Sequence, residues 1–448
     1  MPTHDLFSFS RPGAPWFAWE WMTDVIYALL FQAAGLKGIV LMSGVLIAAY
    51  ATIVLRYTLW RGANVLVAAA TTLLAVGGSS MHFLARPHLF TLLFLPICIW
   101  VLEVDRRKHT PWLWALIPLT ALWTNLHGGF VIFIACIGLL VAGCSIEQAL
   151  GTDRKREIRR YAALLAGCSL ASVVNPYGVL LHVHIWEYLR ADWIRNLIQE
   201  FQAPTFRNEA QTQLEIVLIA GLITSGFLLA RRRYTEALWV VFLAHACLTS
   251  LRHAPLFVAV AAPLVAVELS EWWGKAVEKA KKSDASYILH QLGTDLKGAF
   301  QGISVWPAVL IVTLAALDAP LQWPHDFPSI LFPTSMVHQH ADVVASGRLL
   351  TPDQWGDYVI YTFYPRQKVY VDGRSDFLGE KLGREYVHLM QGDYDWREIM
   401  ARNRFDVALL PVDWPLASML KMDPAWRLVA DDGKAILFRR VSTQTLRN

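Results

Sequence analysis

DRRKHTPWLWALIPLTALWTNLHGGFVIFIACIGLLVAGCSIEQALGTDRKREIRR, residues 105–160, is the stretch whose reading decides the fold. It opens and closes on basic runs. Between them lie two apolar segments, 111–126 and 128–149, joined by a short turn that carries Asn125, His127 and two glycines. A helix needs about 20 mostly apolar residues to cross the hydrocarbon core of a bilayer. Lys and Arg collect on the cytoplasmic side of such helices. The stretch therefore reads as a transmembrane hairpin with basic ends inside and the Asn–His–Gly turn outside.

The pattern extends over the chain. Of 448 residues, 55% are hydrophobic and 17% charged, with a mean hydropathy of +0.37. An ordinary soluble domain is about 25% charged. That composition excludes a disordered chain, a nucleic-acid-binding module and an ordinary cytosolic enzyme. Ten segments are apolar enough to be expected as spans: 37–56, 63–82, 87–104, 111–126, 128–149, 159–176, 214–231, 236–250, 254–272 and 303–319. Residues 16–34 are also apolar but carry Glu20 and Asp24, so they are expected as an interfacial or re-entrant helix, with a full span as the second choice. With that orientation, five inner loops hold 18 Lys and Arg and the outer loops hold seven. The inner runs are expected to be solvated. The five cysteines fall in apolar stretches, without zinc or disulfide spacing.

After about residue 332 the long apolar runs stop. QKVYVDGRSDF, RFDVALLPVD and KAILFRR read as strands, and REYVHLMQ and DWREIMARN as helices. Alternation of this kind suggests a small α/β domain. The Pro-rich segment 323–333 is expected to be a linker, and Trp355, Gly356, Asp357 and Tyr358 a turn leading into a strand. The expected fold is thus mainly α: a polytopic bundle of about ten spans with a small extramembrane α/β domain. Residues 1–35 form an external loop with the interfacial helix, 36–320 the transmembrane domain, and 333–448 an external soluble domain.

The polar clusters fall at the outer ends of the spans. Arg86 and His88 start one span, and Asn125 and His127 join two. Asn175 ends another, and Arg252 and His253 lie at the next outer turn. Asp5, Glu20 and Asp24 share that side. Turns need Gly, Pro and Asn for backbone reasons alone, and Arg and His near a helix end can reach the headgroups. Ionisable residues at membrane depth nevertheless mark sites by default. Arg and His there suit a lipid phosphate, and a carboxylate opposite them suits a general base. Asp372 and Arg374, in the loop after a strand, are expected to pair with each other or cap the next helix, and the alternative is that they line a ligand site. No His pair has metal-ligand spacing, so no metal site is expected. A divalent cation held by carboxylates with substrate phosphate is the one cofactor left open.

The run DLFSFSRPGAPWFAWEWMTDVIYALL, with RPHLF, WTNLHGGF, WGDY, VYVDGR and the closing Trp426, Asp431, Asp432 and Arg439, resembles bacterial polytopic glycosyltransferases of the GT-C type. These are akin to the protein mannosyltransferase and aminoarabinose transferase families. The resemblance implies inverting transfer from a polyprenyl-phosphate sugar to an acceptor at the outer face of the inner membrane. Its partners would be the lipid-linked donor and the bilayer, with no nucleic acid. It makes Asp5, Glu20 and Asp24 the acid candidates. Arg86, His88, Asn125, His127, Asn175, Arg252 and His253 become donor-binding candidates. Members begin with one more transmembrane helix and an acidic residue, whereas this sequence opens inside the loop. Two other readings stay open: a non-catalytic scaffold whose external domain binds a partner, and a transporter or flippase with a midplane site on broken helices.

Overall fold

The structure, a computed structural model, describes residues 2–301, 310, 313 and 323–441. The chain divides into two compact units. A helical unit comprises Trp19–Glu187 and Arg195–Trp323, and a mixed unit comprises Met1–Ala18, Tyr188–Ile194 and Pro324–Asn448.

The helical unit contains α1 (Trp21–Arg61), α2 (Val65–Ser79), α3 (His88–Arg107), α4 (Leu116–Leu126), α5 (Phe130–Ala149) and α6 (Lys155–Ala171). After α7 (Leu180–Arg190) and α8 (Asp192–Leu197), whose residues are divided between the two units, come α9 (Glu209–Ala230), α10 (Tyr234–Thr249), α11 (Ala254–Val277) and α12 (Ala285–Asp295). The core is built on α11. Every residue from 254 to 266 is buried, and α1, α2, α3, α9 and α10 pack around it. Apolar character all round a helix is what enclosure requires, and the Ala- and Val-rich surface allows close approach. By contrast, α9 exposes Ile216, Ile219, Ile223 and Phe227. These recur every three or four residues and form an apolar stripe suited to lipid.

Among the described residues, six helices are long and apolar enough to cross a membrane, and α10 is a shorter apolar helix. This is fewer than the ten expected spans. Segment 111–126 is split. Thr110 accepts from the Trp112 amide and caps a 3-10 turn, Pro111–Ala115, which leaves eleven residues for α4. In segment 159–176 the helix stops at Ala171, and its first turns are basic. Segment 303–319 lies almost wholly outside the described residues. Residues 16–34 do not make a separate helix. α1 begins at Trp21 and runs through a kink at Gly35 (φ 60°, ψ −151°) into the first expected span. A left-handed φ costs a residue with a side chain about 1–2 kcal/mol, so glycine suits this joint.

In the mixed unit the sheet order is β1 (Leu349–Leu350), β2 (Val407–Pro411), β4 (Ala435–Arg440), β3 (Trp426–Asp431). β1 is parallel to β2, and the other pairs are antiparallel. Val369 bridges to Leu349 on one side and to Ser8 on the other. The N-terminal segment thereby joins the sheet edge, with the Phe9 amide donating to the Val369 carbonyl and the Val369 amide to the Phe7 carbonyl. Two expectations fail here. Residues 355–358 are not a turn before a strand but lie inside the helix Asp353–Phe363. Trp355, Tyr358, Val359 and Phe363 recur at helical spacing and pack on the core. Segment 323–333 is not a bare linker, because Phe327 and Phe332 pack against Tyr358. The closing Trp426 and Asp431 bound β3, and the Asp432 carboxylate accepts from the Lys434 and Ala435 amides in the hairpin turn.

Candidate functional site

The expected site residues sort into the two units. In the mixed unit, Asp5, Asp372 and Arg374 form one cluster. Arg374 Nη2 donates to Asp5 Oδ1 at 2.7 Å and to Asp372 Oδ2 at 2.6 Å, and its Nε donates to Asp372 Oδ1 at 2.8 Å. The Ser8 hydroxyl and amide donate to Asp5 Oδ2 at 2.6 and 2.9 Å. The Arg374 guanidinium lies 4.6 Å from the ring centroids of both Trp16 and Phe377. Burial pushes the Asp5 carboxyl up, but the hydrogen bonds from Ser8 and Arg374 outweigh it and hold the pKa below the ordinary value. A carboxylate so fully engaged is a structural fastener. It pins the N-terminal segment to the loop after Val371.

In the helical unit the turn between α4 and α5 carries the centre of a second cluster. His127 Nε2 lies 3.6 Å from Glu20 Oε1. Its Nδ1 contacts Thr91 Oγ1 at 2.7 Å and accepts from the Gly129 amide at 3.0 Å. Trp123 Nε1 donates to Thr91 Oγ1 at 2.8 Å. Because Nδ1 accepts from an amide, this network assigns the ring proton to Nε2, which faces Glu20. The turn is tight: a Cβ on Gly129 would come within 2.2 Å of Thr91 Oγ1. Glycine is therefore needed for this approach. Trp21 Nε1 donates to Asn125 Oδ1 at 2.7 Å, and Thr23 Oγ1 to the Leu126 carbonyl at 2.8 Å. These bonds hold the start of α1, with Glu20 at its N-cap, against the same turn.

From His127 a row of rings leads away. The His88 centroid is 6.4 Å from that of His127, and His82 is 5.7 Å from His88. His88 Nε2 contacts the His82 carbonyl at 2.5 Å, and His82 Nε2 the Leu251 carbonyl at 3.3 Å. Arg86 and Arg252 both meet the 3-10 turn Gln199–Phe201. Arg86 Nη1 is 3.3 Å from Glu200 Oε2, and the Arg252 guanidinium is 4.2 Å from the Phe201 ring centroid. The structure thus brings together Glu20, His127, His88, Arg86 and Arg252. Asp24, in the first turn of α1, is exposed.

The remaining candidates serve the backbone. Asn125 Nδ2 donates to the Ala121 and Val174 carbonyls, and Asn175 locks its own turn through Ser172, Tyr177 and Gly178. His253 Nδ1 contacts the Ala246 carbonyl at 3.1 Å. Sequence reasoning missed Thr91, Trp123 and Glu200 as members. Thr91 was accessible, since it follows His88 by three residues and so shares its helix face. Among the described residues, no group of three or more His, Cys, Asp or Glu is placed to hold a metal ion.

No known family's sequence pattern matches the chain, and no curated protein matches it. Solved structures do. The archaeal oligosaccharyltransferase AglB from Archaeoglobus fulgidus, in complex with an inhibitory peptide and a dolichol-phosphate, matches with a TM-score of 0.54 at 12% identity. The match covers 99% of this chain and 68% of that one. The A. fulgidus oligosaccharyltransferase tethered with an acceptor peptide containing the NVT sequon matches with a TM-score of 0.52 at 11% identity, over 99% and 68%. The chain shares its fold with these oligosaccharyltransferase structures.

Proposed function

We propose that the chain is a membrane glycosyltransferase that moves a sugar from a lipid-linked phosphate donor to an acceptor at the outer face of the membrane. The observation that carries this reading is the Glu20–His127 pair, held at a helix start within a GT-C-like fold. Glu20 serves as general base. Its side chain is 21% exposed, so an acceptor can reach it. The proton on His127 Nε2 is directed at it across 3.6 Å, an electrostatic contact rather than a hydrogen bond. The acceptor hydroxyl gives its proton to Glu20 and bonds to the anomeric carbon as the carbon–oxygen bond to phosphate breaks. The lipid phosphate leaves as an anion. Arg86 and Arg252 supply the positive charge that favours this departure. The likeness to structures holding dolichol-phosphate and peptides supports the donor class and leaves sugar and acceptor open. The transporter reading expects broken helices at corresponding places in two halves; α1 is broken at Gly35, but α2 continues through Gly77 and Gly78 to Ser79.

The test is transfer from a polyprenyl-phosphate sugar by purified protein. Glu20→Gln is expected to lower the rate about 10²–10⁴-fold without lowering the melting temperature, and Asp24→Asn to leave it nearly unchanged. An active wild type whose Glu20→Gln form keeps the full rate removes Glu20 as the base.

A further inference from the structure

At the other end of the helical unit, two adjoining cavities of about 180 and 330 Å³ share Arg106, Glu147, Arg154, Arg233 and Glu236 as lining residues. They lie where the basic loops cluster, at the C-terminal end of α3. His88 begins that same 20-residue helix, so about 30 Å separates them from the Glu20–His127 site. Six guanidinium groups line the pair of cavities: those of Arg106, Arg107, Arg154, Arg231, Arg232 and Arg233. Four carboxylates line them with these, from Glu103, Glu147, Glu157 and Glu236.

Four of the arginines have carboxylate partners. Arg106 meets Glu103 at 2.7 Å and Glu236 at 3.2 Å. Arg233 meets Glu236 at 2.8 Å, Arg154 meets Glu147 at 2.6 Å, and Arg231 meets Glu268 at 2.8 Å. Arg107 and Arg232 have no carboxylate partner among the described residues. Arg107 lies 3.8 Å from the Trp60 ring centroid instead. Fixed, paired neighbours make a rigid wall, and the two unpaired cations leave it with unmatched positive charge.

A second observation concerns the backbone. α9 ends with the Arg232 amide donating to the Leu229 carbonyl and the Arg233 amide to the Leu228 carbonyl. This terminus places its extra residue in the left-handed region, where glycine is usual. Here Arg232 occupies it, at φ 58°. Arginine at that position costs stability that glycine would not, which is accounted for if its side chain serves the cavity.

We infer that these cavities form an anion site that takes a phosphate-bearing ligand, with Arg107 and Arg232 supplying the unmatched charge. Guanidinium forks suit phosphate oxygens, and several around one open cleft, with Arg107 and Arg232 at its exposed rim, favour a doubly charged group. Each cavity exceeds a water's share of about 30 Å³ several-fold. The phosphate could come from a lipid headgroup or from a soluble phosphate, and the two sources are separable.

The test uses the full chain. In detergent, binding of inorganic pyrophosphate is followed by calorimetry. In nanodiscs of phosphatidylcholine with or without phosphatidic acid, the lipid retained on extraction is counted by native mass spectrometry. Saturable pyrophosphate binding without lipid retention assigns a soluble ligand, and retained phosphatidic acid assigns a headgroup. In whichever arm binds, Arg107→Gln with Arg232→Gly is expected to weaken binding about ten-fold, equivalent to ~1.4 kcal/mol. Arg56→Gln, outside the cavities, should change nothing. Arg232→Gly suits the left-handed position and should melt no lower than wild type, so lost binding is not lost folding. Arg107→Gln alone gives a second reading. No saturable binding in either arm, or equal binding by the double variant, overturns the site.

Discussion

The two ends of the helical unit handle polar groups in opposite ways. At the Glu20–His127 end, polar side chains bond mainly to backbone groups and to neutral side chains. His82 contacts a carbonyl, Asn125 holds two, and the half-exposed Arg86 has one carboxylate partner. At the other end, most charges are neutralised in a connected network, and Arg107 and Arg232 are left unmatched. Arg61 and Glu103, with side chains 2% and 5% exposed, meet at 2.7 Å, and Arg106 links Glu103 to Glu236. Asp105 accepts from Arg160 at 2.7 and 2.9 Å and from Tyr161 at 3.2 Å. The basic loops are therefore not simply solvated, as their sequence suggests, because buried carboxylates near the ends of α3 and α5 and at the start of α10 draw them in. The basic end is fastened by its ion pairs around two unmatched arginines. The other keeps a carboxylate and two arginines near a surface, as binding requires.

The largest effect should come from the fastening. Glu103→Ala leaves Arg61 buried without its carboxylate, and loss of one partner of a buried pair costs about 3–5 kcal/mol. Thermal or denaturant unfolding in detergent measures this. The double variant Arg61→Met with Glu103→Met should recover most of the loss. If Glu103→Ala unfolds like wild type, the contrast between the ends fails.

The second prediction sharpens the other side of the comparison. Thr91→Val removes the hydroxyl between Trp123 and His127. The unmet Trp123 donor should cost about 1–3 kcal/mol. The freed imidazole should lower kcat ~10-fold or more with KM little changed. A stability loss without a kcat change would make Thr91 a packing residue only.

The mixed unit supplies a calibration, since its Asp5–Arg374–Asp372 cluster is also a fastening. Asp5→Asn should destabilise this unit by about 1–3 kcal/mol at neutral pH. The folded pKa of Asp5 is depressed, so its contribution is present above the unfolded value near 3.9. It is lost as pH falls through the folded value. Acid unfolding of wild type should show this loss, and Asp5→Asn should flatten it. The smallest effect is expected at Arg86. Its ion pair with Glu200 is half exposed, and such pairs contribute about 0–1 kcal/mol. Arg86→Gln should leave the melting point nearly unmoved and act on donor affinity instead.

Much of this was legible in the residues. Apolar length gave the helices, and β2, β4 and the helices Ser375–Gln391 and Trp396–Asn403 follow the expected segments. The expected pairing of Asp372 with Arg374 is present. Less legible was α1, where fourteen residues that read as a separate interfacial element continue into a span through one glycine. The helix Asp353–Phe363 was misread because Trp-Gly-Asp-Tyr is rich in turn-forming residues, while the apolar spacing around it is helical.

What the sequence by itself determined is which segments are apolar enough to form long helices and which are not. That follows from local composition, since each residue's transfer free energy belongs largely to itself. Which charges pair was decided only by the tertiary structure. Asp5 meets Arg374 across 369 positions, Arg231 meets Glu268 across 37, and Glu20 comes within 3.6 Å of His127. An ion pair depends on distance in space, and burial multiplies its strength. Neither is a property of a segment, so the same Arg and Glu read alike in sequence whether they bind, fasten or simply face the solvent.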